Sequence, residues 1–89
     1  MGRIVAQYDI MPESADVPMD SVVAALNGVI PKGVEIIDAK IVPVAFGLKK
    51  VLAGFVIDDT VENVGSILED GLLSIPGVEN IECISSALL

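Results

Sequence analysis

Histidine and tryptophan are absent from this 89-residue chain, cysteine occurs once, and the only aromatics are one tyrosine and two phenylalanines. Without an imidazole there is no Ser-His-Asp relay and no histidine acid–base chemistry. A lone Cys83 makes neither an internal disulfide nor a paired-thiolate zinc site. Tyr8, Phe46 and Phe55 are too few for a platform that stacks bases. Positive charge is scarce too: five basic residues stand against thirteen acidic ones, a net charge of −8. That sign opposes phosphate contacts, so direct nucleic-acid binding is not expected. Long apolar runs are missing as well. Pro, Asp, Lys or Gly interrupts each run before the ~18–20 residues a membrane-spanning helix needs, so no membrane association is expected. The N-terminus lacks the uninterrupted apolar core of a signal peptide, which implies a cytoplasmic protein.

What the chain has is apolar content. Hydrophobic residues make up 53% and mean hydropathy is +0.73, which excludes disorder and implies a single domain over 1–89 with a packed core. Charge is distributed unevenly. All five basic residues precede Val51, while seven acidic residues and no basic one follow Lys50.

An internal repeat organises the chain. Ile30-Pro31-Lys32-Gly33-Val34-Glu35-Ile36 recurs 45 residues later as Ile75-Pro76-Gly77-Val78-Glu79-Asn80-Ile81, with Lys32 as an insertion. In each copy Pro stops a helix and Gly permits the turn into a strand. The flanks agree. Residues 3–11 read as a strand ended by Pro12, and residues 19–30 place Val22, Val23, Leu26, Val29 and Ile30 on one helical stripe, with Asp16 or Asp20 near its cap. Residues 34–43 and 48–57 read as strands. Asp59 with Glu62 resembles a capping box opening a second helix that buries Val61, Val64, Ile67, Leu68, Leu72 and Ile75. Gly65 and Gly71 weaken that helix by about 1 kcal/mol each relative to Ala. Residues 78–84 read as a fourth strand.

The order β-α-β-β-α-β predicts an α+β, ferredoxin-like fold: a four-stranded antiparallel sheet with two helices on one face. The opposite face is then open, and in residues 48–57 neither alternating set is polar. Either that strand is simply central, or the face awaits a partner, a dimer mate or the chain's own tail.

No catalytic set assembles from these residues. Asp58-Asp59 suit a solvated helix start and Glu69-Asp70 a solvated face. Cys83 alternates with apolar neighbours, which reads as a buried small hydrophobe. Ser85 and Ser86 have no base to activate them. Neither an enzyme nor a metal or other cofactor is expected.

Residues Pro43-Val44-Ala45-Phe46-Gly47-Leu48-Lys49-Lys50 are the stretch that stands out. They place a large aromatic at the tip between two strands, followed by two lysines that point to opposite sheet faces. Burying a Phe is worth about 1.5–3 kcal/mol, so Phe46 either folds back into its own core or awaits a pocket elsewhere. The pattern alone favours folding back.

The same block, from Ile41 through the apolar strand to Asp58-Asp59, together with Met11-Pro12-Glu13-Ser14, resembles the elongation factor 1-beta family, and most of all its short archaeal members. The likeness runs over residues 3–89. The resemblance implies a ferredoxin-like exchange domain that binds the GTPase elongation factor 1-alpha and releases its GDP. It further implies that Phe46 docks on the GTPase, with Pro43, Gly47, Lys49 and Lys50 around it. It also places a basic probe near the C-terminus, whereas here Leu88 and Leu89 occupy that place. By that departure the tail acts through packing, on the open sheet face or in an apolar groove of the GTPase. The alternative reading is a ferredoxin-like small-molecule-binding regulatory or interaction module.

Overall fold

The computed structural model describes residues 2–58 and 60–88. Alternation of Ala6, Tyr8 and Ile10 with Gln7 and Asp9 marks Arg3–Pro12 as strand β1, and the β-branched run after Gly33 makes Val34–Ala45 strand β2. Leu48–Asp58 forms β3 and Val78–Leu88 forms β4. Helix α1 spans Met19–Val29 and helix α2 spans Val64–Leu73. The strands lie in the order β2-β3-β1-β4, with all neighbours antiparallel. This is the ferredoxin-like α+β arrangement that the repeat predicts.

One face of the sheet holds the core. Ile10, Val51, Ala53, Phe55 and Ile57 meet Val22 and Leu26 of α1 and Val64, Leu68 and Leu72 of α2, all buried. Tyr8 and Phe55 pack edge to face here, with ring centroids 5.9 Å apart at 71°. Both rings are therefore spent on the core and offer no base-stacking surface. Both Pro-Gly repeats make the expected turns: Gly33 and Gly77 have φ of 97° and 91°, a conformation that glycine adopts at least cost.

Several local expectations differ from the structure. Helix α1 is capped by Pro18, without a side-chain cap; Asp20 lies inside its first turn. Helix α2 starts at Val64, after Asn63 in a left-handed conformation, rather than at an acidic capping box. Asp58 accepts bonds from the Thr60 backbone N–H at 3.0 Å and its hydroxyl at 2.6 Å, which hold the Asp58 carboxyl below its ordinary range. Asp59 lies outside the described residues. Ile67 is exposed, because the buried stripe follows Val64, Leu68 and Leu72 at four-residue steps and leaves Ile67 on the flank. Strand β4 continues to Leu88, well past residue 84, by pairing with β1 as far as Ile4. Cys83 is exposed rather than buried, because an open hollow separates it on edge strand β4 from Gly65 and Ser66 of α2.

Candidate functional site

The β2–β3 connection is a two-residue loop, because Ala45 pairs with Leu48. Both loop residues have positive φ, 52° at Phe46 and 79° at Gly47. A two-residue hairpin loop favours such a pair because its twist matches the flanking strands. Gly47 suits it, whereas a non-glycine side chain held in this region costs about 1–2 kcal/mol. Phe46 gains nothing from folding in return: its relative exposure is 105%. The reading of Phe46 folded back into the core is therefore wrong. The hairpin geometry aims the ring away from the molecule, and Val44 is exposed beside it. Val44 is an extra residue in the β2–β3 ladder, where the register shifts between Pro43 and Ala45. Pro43 is tolerated because β2 is an edge strand.

The two lysines do separate to opposite faces. Lys49 is exposed on the helix side. There it lines a hollow of about 350 Å³ between the hairpin and the β1–α1 loop, with Asp16, Asp20, Ile41 and Gly47. Lys50 lies on the open face, with Nζ 2.8 Å from Asp9 Oδ2. The side chains of Lys50 and Asp9 are only 26% and 14% exposed, and Asp9 Oδ1 is buried with no hydrogen-bond partner among the described residues. Lys50 thus anchors the base of the hairpin to β1. Sequence inspection missed Asp9, since only the antiparallel register reveals its place beside Lys50.

Leu88 is far from this tip. It pairs with Ile4, and Ile4 pairs with Ile57, at the other end of β3 from Leu48. Nine residue steps of strand separate the two ends, about 30 Å, in a molecule whose longest dimension is 43 Å. Ala87 and Leu88 do not fold over the open face; they extend β4, and Leu88 is 74% exposed. Leu89 lies outside the described residues. The structure therefore brings Pro43, Phe46, Gly47 and Lys49 together, places Lys50 beneath them, and sets Leu88 apart.

On the open face, Val56 is buried although it lies outside the core cluster. Further along β3, a Cβ placed on Gly54 would lie 3.2 Å from the Ile37 side chain. Among the described residues no group of three His, Cys, Asp or Glu gathers as a metal site, and no helix is long and apolar enough to cross a membrane.

The structure is thus a ferredoxin-like domain whose β2–β3 hairpin carries an exposed aromatic at its tip. The family model for the EF-1 guanine nucleotide exchange domain matches residues 5–88. Elongation factor 1-beta of Methanococcoides burtonii is 35% identical over 82 residues, covering 92% of this chain and 91% of its own. That of Archaeoglobus fulgidus is 34% identical over the full length of both chains. The chain belongs to the elongation factor 1-beta family. Its fold is also similar to the C-terminal domain of the Mycobacterium tuberculosis MgtC protein, with a TM-score of 0.55 at 10% identity over 100% of this chain and 88% of that one. That likeness concerns the fold alone.

Proposed function

We propose that this chain is a single-domain guanine nucleotide exchange factor. It binds the GTPase elongation factor 1-alpha and promotes release of its GDP during translation elongation. Family membership supports the reading, and the observation in the structure that carries it is Phe46, exposed and held at positive φ. Local strain kept at an exposed apolar side chain points to a contact made with something else.

Exchange requires no proton transfer by this protein. A partner that binds the nucleotide-free GTPase more tightly than the GDP form must weaken GDP by the same factor. Nucleotide on such GTPases is held by Mg²⁺ and ordered switch loops, so displacing one such element suffices. Phe46 and Leu88 lie too far apart for one small pocket, so the GTPase contacts this domain along its length. The family's basic C-terminal probe is replaced by Leu88, and no Lys or Arg follows Lys50. The far end therefore acts by shape and apolar contact rather than by competing with Mg²⁺ through charge.

The test is release of fluorescent GDP from the cognate GTPase at several Mg²⁺ concentrations. Catalytic amounts of this protein should accelerate release while hydrolysing no GTP alone. Unchanged release in a verified complex would reject the reading.

A further inference from the structure

Past the Ile10–Val51 pair the sheet narrows to two strands. Strand β1 leaves β3 there and continues against β4 alone, through Met11 and Pro12. Strands β2 and β3 stay paired, from Val42 and Lys50 out to Ala45 and Leu48. Residues 42–50 therefore form a two-stranded arm with Phe46 at its tip. The arm has no core of its own, since no residue from 41 to 50 is buried. On the helix side it faces the hollow of about 350 Å³ rather than a packed layer of side chains. A two-stranded ribbon is marginal by itself and twists more widely than a broad sheet, and the extra residue at Val44 adds a bend.

One polar contact ties this arm to the body. Among the described residues, the bond from Lys50 Nζ to Asp9 Oδ2 at 2.8 Å is the only side-chain hydrogen bond or ion pair joining residues 42–50 to another part of the chain. Asp9 stands one residue inside the last β1–β3 pair and Lys50 one residue outside it, so the bond crosses the junction. The pair is a poor device for stability alone. Asp9 stands opposite Glu82 of β4, a like charge that opposes it. Its Oδ1 is buried without a partner among the described residues, and a well-packed apolar pair of similar volume commonly holds a fold as well. What a short ion pair across a junction supplies is a defined direction.

We infer that Asp9 and Lys50 are positioning residues. Their bond fixes the angle at which the arm leaves the sheet, and so presents Phe46 to the GTPase already oriented. The inference rests on the exchange-factor reading. Lys50 acts through the tip, whose loop begins two residue steps, about 7 Å of strand, beyond it. An arm ordered before the encounter spares the complex the entropy of ordering it afterwards.

Backbone NMR order parameters test the pinning without the partner. For amides 45–49 of the parent they should be about 0.85, as in rigid backbone, and in Lys50→Met and Asp9→Leu they should fall toward about 0.6 while the rest of the sheet is unmoved. At a temperature where every protein is folded, both variants should bind the GTPase about five- to ten-fold more weakly. Asp9→Leu keeps the Lys50 charge, so its loss does not come from a missing lysine contact with the partner. Lys50→Arg keeps a cation within reach of Asp9 and should bind as the parent does. In a Phe46→Ala background neither Lys50→Met nor Asp9→Leu should weaken binding further. Unchanged order parameters in both variants overturn the pinning. A loosened arm with parental affinity, or a loss that persists in full without Phe46, overturns the positioning role and leaves the exchange reading standing. Failure of the parent protein to bind or to accelerate release overturns both.

Discussion

Phe46 and Leu88 stand at opposite ends of the sheet, about 30 Å apart by strand rise, linked through the ladder from Leu88 to Ile4 to Ile57. Sites this far apart without shared neighbours act additively within about 0.5 kcal/mol. Phe46→Ala should weaken GTPase binding by at least about 2 kcal/mol, roughly 30-fold, as for other aromatic anchors. Leu88→Ala should give a smaller loss, and the double variant the sum. Calorimetric binding of all four proteins checks this, and strong coupling would mean that the two ends meet one mobile element of the partner.

The tip also separates stability from function. Phe46→Asn creates Asn-Gly, the pair best suited to a two-residue hairpin loop with φ positive at both positions. It should raise folding stability by about 1 kcal/mol while weakening binding as severely as Phe46→Ala. Urea unfolding alongside binding tests it. A variant that loses stability would show that the ring supports the fold.

Lys49 and Lys50 are adjacent but should respond differently. Lys50→Met leaves the buried Asp9 carboxylate without its cation and should cost about 1–3 kcal/mol of stability. The change Asp9→Asn in the same chain should recover part of that loss. Lys49→Met removes an exposed charge, so stability should move by less than about 0.5 kcal/mol and any defect should appear in binding. Equal stability losses in the two single variants would contradict the geometry.

The fold was legible because the Pro-Gly repeat and two alternation periods agree on one element order. Sites depending on cross-strand register were not. Asp9 is 41 residues from Lys50, and no spacing rule connects them. Cys83 is exposed because alternation fixes only which face a strand residue takes, while how closely α2 packs on the edge strand decides whether that face is covered. Phe46 was misjudged for a related reason: hydrophobicity argues for burial, and only the backbone conformation of a two-residue loop shows that the ring cannot return. The family block lies at the β2–β3 tip, while its C-terminal counterpart lies at the far end of the sheet, a separation that appears only in three dimensions.

The two glycines of α2 have the same intrinsic helix propensity but different surroundings. At Gly71 a Cβ would lie 2.5 Å from the Val29 carbonyl oxygen, a backbone atom with no freedom to swing aside. At Gly65 it meets nothing. Gly65→Ala should therefore stabilise by up to about 1 kcal/mol, while Gly71→Ala should destabilise by about 1–3 kcal/mol because α1 and α2 are forced apart. Thermal melts of both decide it, and a stabilising Gly71→Ala would mean that the helices do not cross so closely.

Tyr8 gives a pH signature. Burial raises its hydroxyl pKa above 10, and the hydrogen bond to Glu69 and that residue's charge raise it further. The folded state therefore keeps a proton that the unfolded state releases above its ordinary value of 10.0. Stability from this group is complete below pH 10 and falls as pH rises past it, by at most about 1.4 kcal/mol per pH unit. Tyr8→Phe retains the ring against Phe55 and deletes the titration. At pH 7 it should be less stable than the parent by about 0.5–1.5 kcal/mol, the worth of one hydrogen bond. Between pH 10 and 11 that gap should close and then reverse. Urea unfolding of both proteins at pH 7, 9, 10 and 11 provides the comparison. Curves that stay parallel across that range would show that the hydroxyl is not held against Glu69 in the folded protein.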